Sequence, residues 1–161
     1  MAVSGWNPKS AAGPPSASAS QPEAAASGLV RHVLVVEDNE ADIFLIQTAI
    51  SATKIPVFVH VVKDGDQAIR FFDAVDRDLT KPCPDIMILD INLPKRQGGD
   101  VLKHMRASGR CSRAQVIVVS TSDTTRDRAM MQELGADGYF RKPSDFDEFM
   151  RLGELIKSVI G

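Results

Sequence analysis

A short apolar run that ends on an aspartate constrains this chain more than any other feature. Residues 86–89, Ile-Met-Ile-Leu, are too few for a helix and rich in β-branched side chains, which is typical of a strand buried on both faces. Asp90 follows directly, and burying a carboxylate is costly unless it is paired or coordinated. Because Asn92, Pro94 and Gly98 cannot continue the strand, we expect a loop that leaves Asp90 at the rim of a sheet.

Three other apolar runs end on polar side chains that are candidate partners for Asp90. These side chains are Glu37 and Asp38 after residues 33–36, Ser120 after residues 116–119, and Lys142 after residues 139–141. Because parallel strands present their carboxyl ends at one edge of a sheet, we expect all of these groups to converge on Asp90. Three acids, a hydroxyl and an ammonium predict a divalent-metal site beside a reactive carboxylate.

The alternation of patterns along the chain indicates the fold class. From Leu29 onward, strand-like and helix-like segments alternate, which predicts an α/β domain over residues 29–161 with parallel strands and right-handed crossovers. The predicted strands cover residues 31–36, 57–62, 86–89, 116–119 and 138–141. A fourth helix is predicted over about residues 124–134, ending at Gly135, and Ser144 and Asp147 are spaced like a capping box that starts a fifth helix.

Residues 1–28 differ from the rest of the chain in composition. They are mostly Ala, Ser, Pro and Gly, so they offer too little apolar surface to offset the entropy lost on ordering, and they predict a disordered tail. A short interaction arm and an overlong start are equally compatible with this segment.

Composition narrows the compartment and the classes of partner. With 161 residues, 43% of them hydrophobic, and a net charge of -2, the chain predicts one soluble domain with no electrostatic reason to bind nucleic acid or an anionic membrane. No secretory signal or membrane-spanning segment is expected, and the default compartment is the cytoplasm. Cys83 and Cys111 fall in predicted loops, where we expect reduced, free thiols. The three histidines are scattered without the spacing of metal ligands.

The acids favour magnesium, which prefers hard oxygen ligands and keeps several waters. Asp38 and Asp90 are expected to bind Mg²⁺ directly, Glu37 through water, and Asn92 through its backbone carbonyl. The second oxygen of Asp90 is then free to attack phosphorus and form an aspartyl phosphate. The structural alternative is that Glu37 and Asp38 are only a charged helix N-terminus.

Lys142 and Ser120 complete the predicted chemistry. The Lys142 ammonium would contact phosphoryl oxygens or Asp90, and the Ser120 hydroxyl would donate to another phosphoryl oxygen. A lone lysine before a proline is usually a surface residue, and a lone serine after a strand is usually a cap. Their joint appearance at successive strand ends favours the functional interpretation.

Four segments, VLVVEDN, IMILDINLP, VVSTS and GYFRKP, resemble in this order the receiver domain of two-component response regulators. The resemblance covers about residues 30–160 and implies a CheY-like, flavodoxin-like (βα)5 fold, doubly wound, with strand order 2-1-3-4-5. It also implies a role for each site residue. These are Asp90 as phosphoacceptor, Glu37 and Asp38 as acidic pair, Ser120 as switch hydroxyl, Tyr139 as switch aromatic and Lys142 as the strand-five lysine. The switch hydroxyl is more often Thr, and Ser keeps the donor but lacks the methyl group.

Three segments are similar to a single-domain subgroup that includes partners of bacterial phytochromes. They are EDNEADIFLIQ, the long segment over residues 75–84, and DINLPKRQG. This finer resemblance suggests a phytochrome-type or related sensor histidine kinase as phosphoryl donor and a homodimer through the last two helices and strand five. Since the chain ends just past the fifth helix, the expected output is binding to a downstream protein or transfer to a phosphotransfer protein. No enzymatic activity is expected beyond self-phosphorylation from small donors and self-dephosphorylation.

Three alternative functions are compatible with parts of the sequence. A magnesium-dependent phosphatase that forms an aspartyl phosphate usually carries its nucleophile after the first strand with a second acid two positions on, whereas Asp90 follows the third strand and position 92 is Asn. A flavin-binding protein would need Ser, Thr and Gly donors after the first strand, where this chain is acidic. A non-phosphorylated interaction domain is disfavoured because every site residue is present.

Overall fold

A five-stranded parallel sheet with helices on both faces is the framework of the computed structural model, which describes residues 30–161. The tail predicted over residues 1–28 lies outside the described residues. The strands are β1 (Arg31–Val36), β2 (Val57–Val62), β3 (Ile86–Leu89), β4 (Gln115–Ser120) and β5 (Gly138–Arg141). The helices are α1 (Glu40–Ala52), α2 (Gly65–Arg77), α3 (Gly98–Arg106), α4 (Thr125–Glu133), α5 (Phe146–Phe149) and α6 (Arg151–Ile160). The strand order is β2-β1-β3-β4-β5, which confirms the flavodoxin-like fold that the resemblance implied.

The central strands are buried on both faces, as their continuous apolar sequences predicted. Successive residues alternate between two apolar clusters, so that Met87 and Leu89 of β3 pack with α2, α3 and α4, while Ile86 and Ile88 pack with α1 and α6. This alternation follows from the two-residue period of a strand. Each sheet face therefore has its own core, and the polar ends of the strands are left at the rim.

Helix ends mostly follow the capping residues in the sequence, with two corrections in the last unit. Asn39 caps α1 and Thr124 caps α4, and Gly135 with φ of 106° lies just after the end of α4, as predicted. The predicted capping box at Ser144 is wrong, because the side chain of Asp145 accepts the hydrogen bond from the Glu148 amide. The predicted fifth helix is also divided into α5 and α6 by a single residue.

The two cysteines are bonded to each other, which differs from the prediction. Cys83 and Cys111 form a disulfide with a Cα–Cα distance of 5.4 Å, whereas the sequence predicted free thiols. Cys83 lies in the segment before β3 and Cys111 in the segment between α3 and β4, and the pairing of β3 with β4 brings the two segments together. Their proximity depends on the fold, so neither the number nor the spacing of the cysteines could reveal it.

Two of the histidines that are far apart in sequence are neighbours in the structure. The β1–β2 register pairs Leu34 with His60 and His32 with Phe58, so both imidazoles lie on one face of the sheet. The distance from His32 Nδ1 to His60 Nε2 is 3.2 Å, a hydrogen bond between the two rings. Burial lowers the pKa of both histidines, which favours their neutral forms.

None of the helices described over residues 30–161 has the length and apolar character that a membrane-spanning helix needs.

Candidate functional site

The carboxyl ends of β1 and β3 bring three acids together. The amide of Glu37 donates to the Val62 carbonyl and the amide of Asp90 donates to the Val36 carbonyl, so both acids continue the hydrogen-bond ladder of the sheet. One carboxylate oxygen from each of Glu37, Asp38 and Asp90 lies within 4.8 Å of the other two. Glu37 and Asp90 are buried and Asp38 is exposed. The structure thus brings together the three acids that the sequence singled out.

The loop after β3 holds Asp90 from its backbone side. The Gly98 amide donates to the Ile91 carbonyl at 2.8 Å, and a Cβ atom at position 98 would lie 2.5 Å from the Asp90 carbonyl oxygen. Only glycine fits this close approach. The Asn92 amide donates to Asp90 Oδ1 at 3.2 Å, which leaves the second carboxylate oxygen to other partners. The predicted role of the Asn92 carbonyl as a metal ligand remains a prediction.

Lys142 approaches the acids from the end of β5. Its backbone amide donates to the Ser120 carbonyl at 2.8 Å, which fixes the start of the side chain between β4 and β5. The Lys142 ammonium donates to Glu37 Oε1 at 2.8 Å and to Asp90 Oδ2 at 3.2 Å. Only 7% of the Lys142 side chain is exposed, so the ammonium contacts the acids rather than solvent. The predicted convergence of a lysine on Asp90 is therefore present in the geometry.

Asp42 is a site residue that the sequence analysis missed. It lies in the first turn of α1, and its carboxylate accepts a hydrogen bond from the Lys142 ammonium at 2.8 Å. No local signal marks it, because an acid in the first turn of a helix is ordinarily explained by the helix dipole and Asp42 follows no apolar run. The site consequently contains a fourth acid, on a helix rather than at a strand end.

Burial and charge shift the ionisation of two groups in the site. Burial raises the pKa of Glu37 to about 7; the hydrogen bond from Lys142 opposes this rise and the charge of Asp90 adds to it. Burial would lower the pKa of Lys142, but the hydrogen bonds to Asp42 and Glu37 outweigh it, so the pKa of the ammonium is raised. Near neutral pH the lysine is therefore charged, while Glu37 is poised between its two forms.

Ser120 and Tyr139 are linked through one backbone segment. Ser120 is fully buried at the end of β4, and its hydroxyl oxygen accepts a hydrogen bond from the Ser122 amide at 3.1 Å. The Tyr139 hydroxyl donates to the Ser122 carbonyl at 2.7 Å, and the Arg128 guanidinium lies 4.4 Å from the centre of the tyrosine ring. A displacement at Ser120 would thus reach Tyr139 through Ser122.

The donor set suits a hard divalent cation. One group of acidic side chains among the described residues is close enough together to hold a metal ion. It consists of Glu37, Asp38 and Asp90. All of the donors are oxygens, which are the ligands that magnesium and manganese prefer. Zinc sites are instead built mostly from Cys and His. Like charges at these distances repel, so a bound cation would relieve the repulsion.

Comparisons with known proteins agree with this geometry. The model of the response regulator receiver domain family matches residues 33–152. Response regulator Rcp1 of Synechocystis sp. is 29% identical over 126 residues, which are 78% of this chain and 86% of Rcp1. The phosphorylated cyanobacterial phytochrome response regulator RcpA is 30% identical, with a TM-score of 0.73 over 81% of this chain and 93% of RcpA. The Mn²⁺-bound form of Rcp1 is 28% identical, with a TM-score of 0.71 over 80% of this chain and 92% of that structure.

These relatives settle the classification. They confirm the predicted resemblance to the CheY-like subgroup that includes phytochrome response regulators. The family model spans most of the described sheet and the residues of the site. The chain belongs to the response regulator receiver domain family of two-component systems.

Proposed function

We propose that this protein accepts a phosphoryl group from a sensor histidine kinase on Asp90, with Mg²⁺ bound by the neighbouring acids. The observation that carries the proposal is the arrangement around Asp90. One oxygen lies 3.2 Å from a buried ammonium, and the carboxylate stands within 4.8 Å of two further acids. This arrangement supplies a nucleophile, a place for a cation and a positive group to stabilise phosphoryl oxygens.

The metal would be held by Asp38 and Asp90 directly, by Glu37 through water and by the Asn92 carbonyl. When bound, Mg²⁺ supplies charge neutralisation for the transferred phosphoryl group. The oxygen donor set supports this assignment, as does the Mn²⁺ bound in the structure of Rcp1. Magnesium is preferred because it favours carboxylate and water ligands.

The transfer step forms one bond and breaks another. A carboxylate oxygen of Asp90 attacks phosphorus in line, and the bond between phosphorus and the histidine nitrogen of the kinase breaks, leaving the electron pair on that nitrogen. Lys142 is already within 3.2 Å of Asp90 Oδ2 and would donate to a phosphoryl oxygen. Attack by water on phosphorus would later break the bond between phosphorus and the Asp90 oxygen, which releases inorganic phosphate and restores the carboxylate. The protein would thus act as a phosphoacceptor with self-dephosphorylation, without turnover of an external substrate.

The switch would operate through Ser120 and Tyr139. The Ser120 hydroxyl now accepts a hydrogen bond from the Ser122 amide, and its own proton would be donated to a phosphoryl oxygen; movement of the hydroxyl toward that oxygen would lengthen or break its bond with the Ser122 amide. The Ser122 carbonyl, which holds the Tyr139 hydroxyl, would then be free to shift. The response would appear on the face formed by α4, β5, α5 and α6 as a shift between two populations.

The partners follow from the likeness to phytochrome response regulators. A phytochrome-type or related histidine kinase would be the donor, and a downstream protein or phosphotransfer protein would receive the signal. A homodimer through the face formed by α4, β5, α5 and α6 is part of the proposal, and so is a cytoplasmic, single-domain regulator. The likeness covers 86% of Rcp1 and 93% of RcpA, so it extends over most of the length of both relatives.

The central test is intact-mass spectrometry after incubation with acetyl phosphate and Mg²⁺. Wild type should gain one phosphoryl group, while Asp90→Asn, which keeps the shape of the side chain, should gain none. Removal of the metal with a chelator should abolish the gain in wild type. An equal gain in Asp90→Asn would remove Asp90 from the proposed role.

A second test separates phosphorylation from switching. Ser120→Ala should still become phosphorylated, because the nucleophile and the acids are retained, but the conformational response should be weaker. The readout is the change in amide NMR signals of β5 and α4 upon phosphorylation. A full response in Ser120→Ala would exclude the serine from the switch.

A further inference from the structure

We propose that Asp42 is a positioning residue that anchors the Lys142 ammonium for phosphoryl transfer. The inference rests on the proposed phosphoacceptor function and adds to it a residue on α1. Asp42 does not belong to the group of three acids that meet within 4.8 Å. Its side chain forms an ion pair with Lys142, so its effect on the chemistry is exerted through that lysine.

The start of α1 places Asp42 opposite Lys142. The Asn39 side chain accepts a hydrogen bond from the Asp42 amide at 3.0 Å, which fixes the first turn of the helix. Asp42 is three-quarters buried, with 25% of its side chain exposed. A carboxylate in this position faces the pocket from the helix side, whereas Glu37 and Asp90 face it from the sheet.

The three contacts of Lys142 use all of its donors. An ammonium group carries three N–H donors and no acceptor. The acceptors are Glu37 and Asp42 at 2.8 Å each and Asp90 at 3.2 Å. The two shorter bonds are to the acids that do not receive phosphate, so they define where the nitrogen sits. The longer bond to Asp90 is the one that can be exchanged for a phosphoryl oxygen while the other two persist.

Loss of Asp42 would release one side of this arrangement. With two acceptors left, both on the sheet side, the ammonium could move toward Glu37 or rotate toward solvent, and its distance from the arriving phosphoryl group would no longer be fixed. Preorganised charge is what makes electrostatic stabilisation effective in a transition state. We therefore expect Asp42 to control the rate of phosphorylation more than the affinity for metal.

The experiment compares Asp42→Ala with Glu40→Ala, a matched control in the same first turn of α1. Glu40 forms an exposed salt bridge with Lys63, so its loss removes the same charge from the helix without touching Lys142. The rate of phosphorylation by acetyl phosphate at saturating Mg²⁺ should fall about tenfold in Asp42→Ala and change less than about twofold in Glu40→Ala. Asp42→Asn, whose amide oxygen still accepts a hydrogen bond, should lie between wild type and Asp42→Ala.

A double-mutant cycle tests whether the effect passes through Lys142. In a Lys142→Met background, Asp42→Ala should slow phosphorylation by less than about twofold, because the group that it positions is gone. A second readout is independent of phosphorylation. The ammonium ¹⁵N–¹H NMR signal of Lys142, protected from exchange in wild type, should broaden or disappear in Asp42→Ala.

Each outcome bears on one claim. If wild type takes up no phosphoryl group, the proposed function itself fails. If wild type is phosphorylated and Asp42→Ala is phosphorylated at the same rate, the positioning role is overturned. It is also overturned if Asp42→Ala slows phosphorylation by the same factor in the Lys142→Met background as in wild type. Thermal unfolding of every variant shows whether it is folded, and if Asp42→Ala is unfolded the same comparisons are made with Asp42→Asn.

Discussion

One buried ammonium among four carboxyl groups defines this site at the scale of single residues. Glu37, Asp42 and Asp90 accept hydrogen bonds from Lys142, and Asp38 adds a further negative charge beside them. A single positive charge cannot balance so many acids in a partly buried pocket. Burial raises the pKa of Glu37 and the charge of Asp90 adds to this rise, while recruitment of a divalent cation is the expected consequence of the excess negative charge.

The pKa of Glu37 predicts a pH dependence of metal binding. Burial raises this pKa to about 7, so the ionised fraction of Glu37 falls about tenfold between pH 8 and pH 6. Protonation removes a negative charge beside the metal, and the affinity for Mg²⁺ should weaken by up to about tenfold over the same interval. Isothermal titration calorimetry at pH 6, 7 and 8 measures the dissociation constant for Mg²⁺. Glu37→Gln cannot titrate and should show a flatter profile; an equally steep one would assign the effect to another group.

Sequence reasoning found the residues at strand ends and missed those that depend on tertiary placement. Glu37, Asp90 and Lys142 each follow an apolar run, so the parallel sheet was enough to bring them together. Asp42 lies on a helix, where an acid in the first turn has an ordinary explanation in the helix dipole. The contact between His32 and His60 depends on the register of two strands, which no local pattern encodes.

At the scale of elements, the alternation of strand and helix patterns predicted each strand and most helix ends. The fifth helix is the exception, both in its cap and in its division into α5 and α6. Ser144 and Asp145 are both good capping residues, so composition could not decide which of them accepts the helix amide. Boundaries of this kind are set by packing of the whole unit against α1 and the sheet.

The disulfide predicts an effect on stability that is separate from the site. It closes a loop with a sequence separation of 28, for which the lost chain entropy of the unfolded state corresponds to about 3.6 kcal/mol. Reduction with dithiothreitol should lower the free energy of unfolding, measured in urea, by roughly this amount. Phosphorylation by acetyl phosphate should continue, because Cys83 precedes β3 whereas Asp90 follows it.

A variant with both cysteines replaced by alanine provides the control for this experiment. Dithiothreitol should not change its unfolding curve, since no disulfide remains to be reduced. If the reductant lowers the stability of wild type and the variant equally, the effect does not come from the link between Cys83 and Cys111. If reduction leaves wild type unchanged, the cross-link contributes nothing to the free energy of unfolding.

For the molecule as a whole, the doubly wound sheet explains why distant acids meet. The strand order places β1 beside β3, so the acids after these strands are neighbours although more than fifty residues separate them in the chain. Alternating patterns predicted parallel strands, but their order came from the family resemblance, because local periodicity contains no information on which strands are adjacent. The fold therefore gathers negative charge at one rim, and that charge opposes folding unless it is neutralised.

This opposition predicts that Mg²⁺ stabilises the entire domain. A ligand that binds only the native state raises the free energy of unfolding, by about 2.7 kcal/mol at a concentration one hundred times its dissociation constant. Asp38→Asn should have two effects of opposite sign: higher stability without metal, because like-charge repulsion is reduced, and a smaller gain when Mg²⁺ is added. Thermal unfolding with and without Mg²⁺, at constant ionic strength set by KCl, measures both effects. An equal gain from Mg²⁺ in wild type and Asp38→Asn would mean that the ion stabilises the domain from a place other than the acidic cluster.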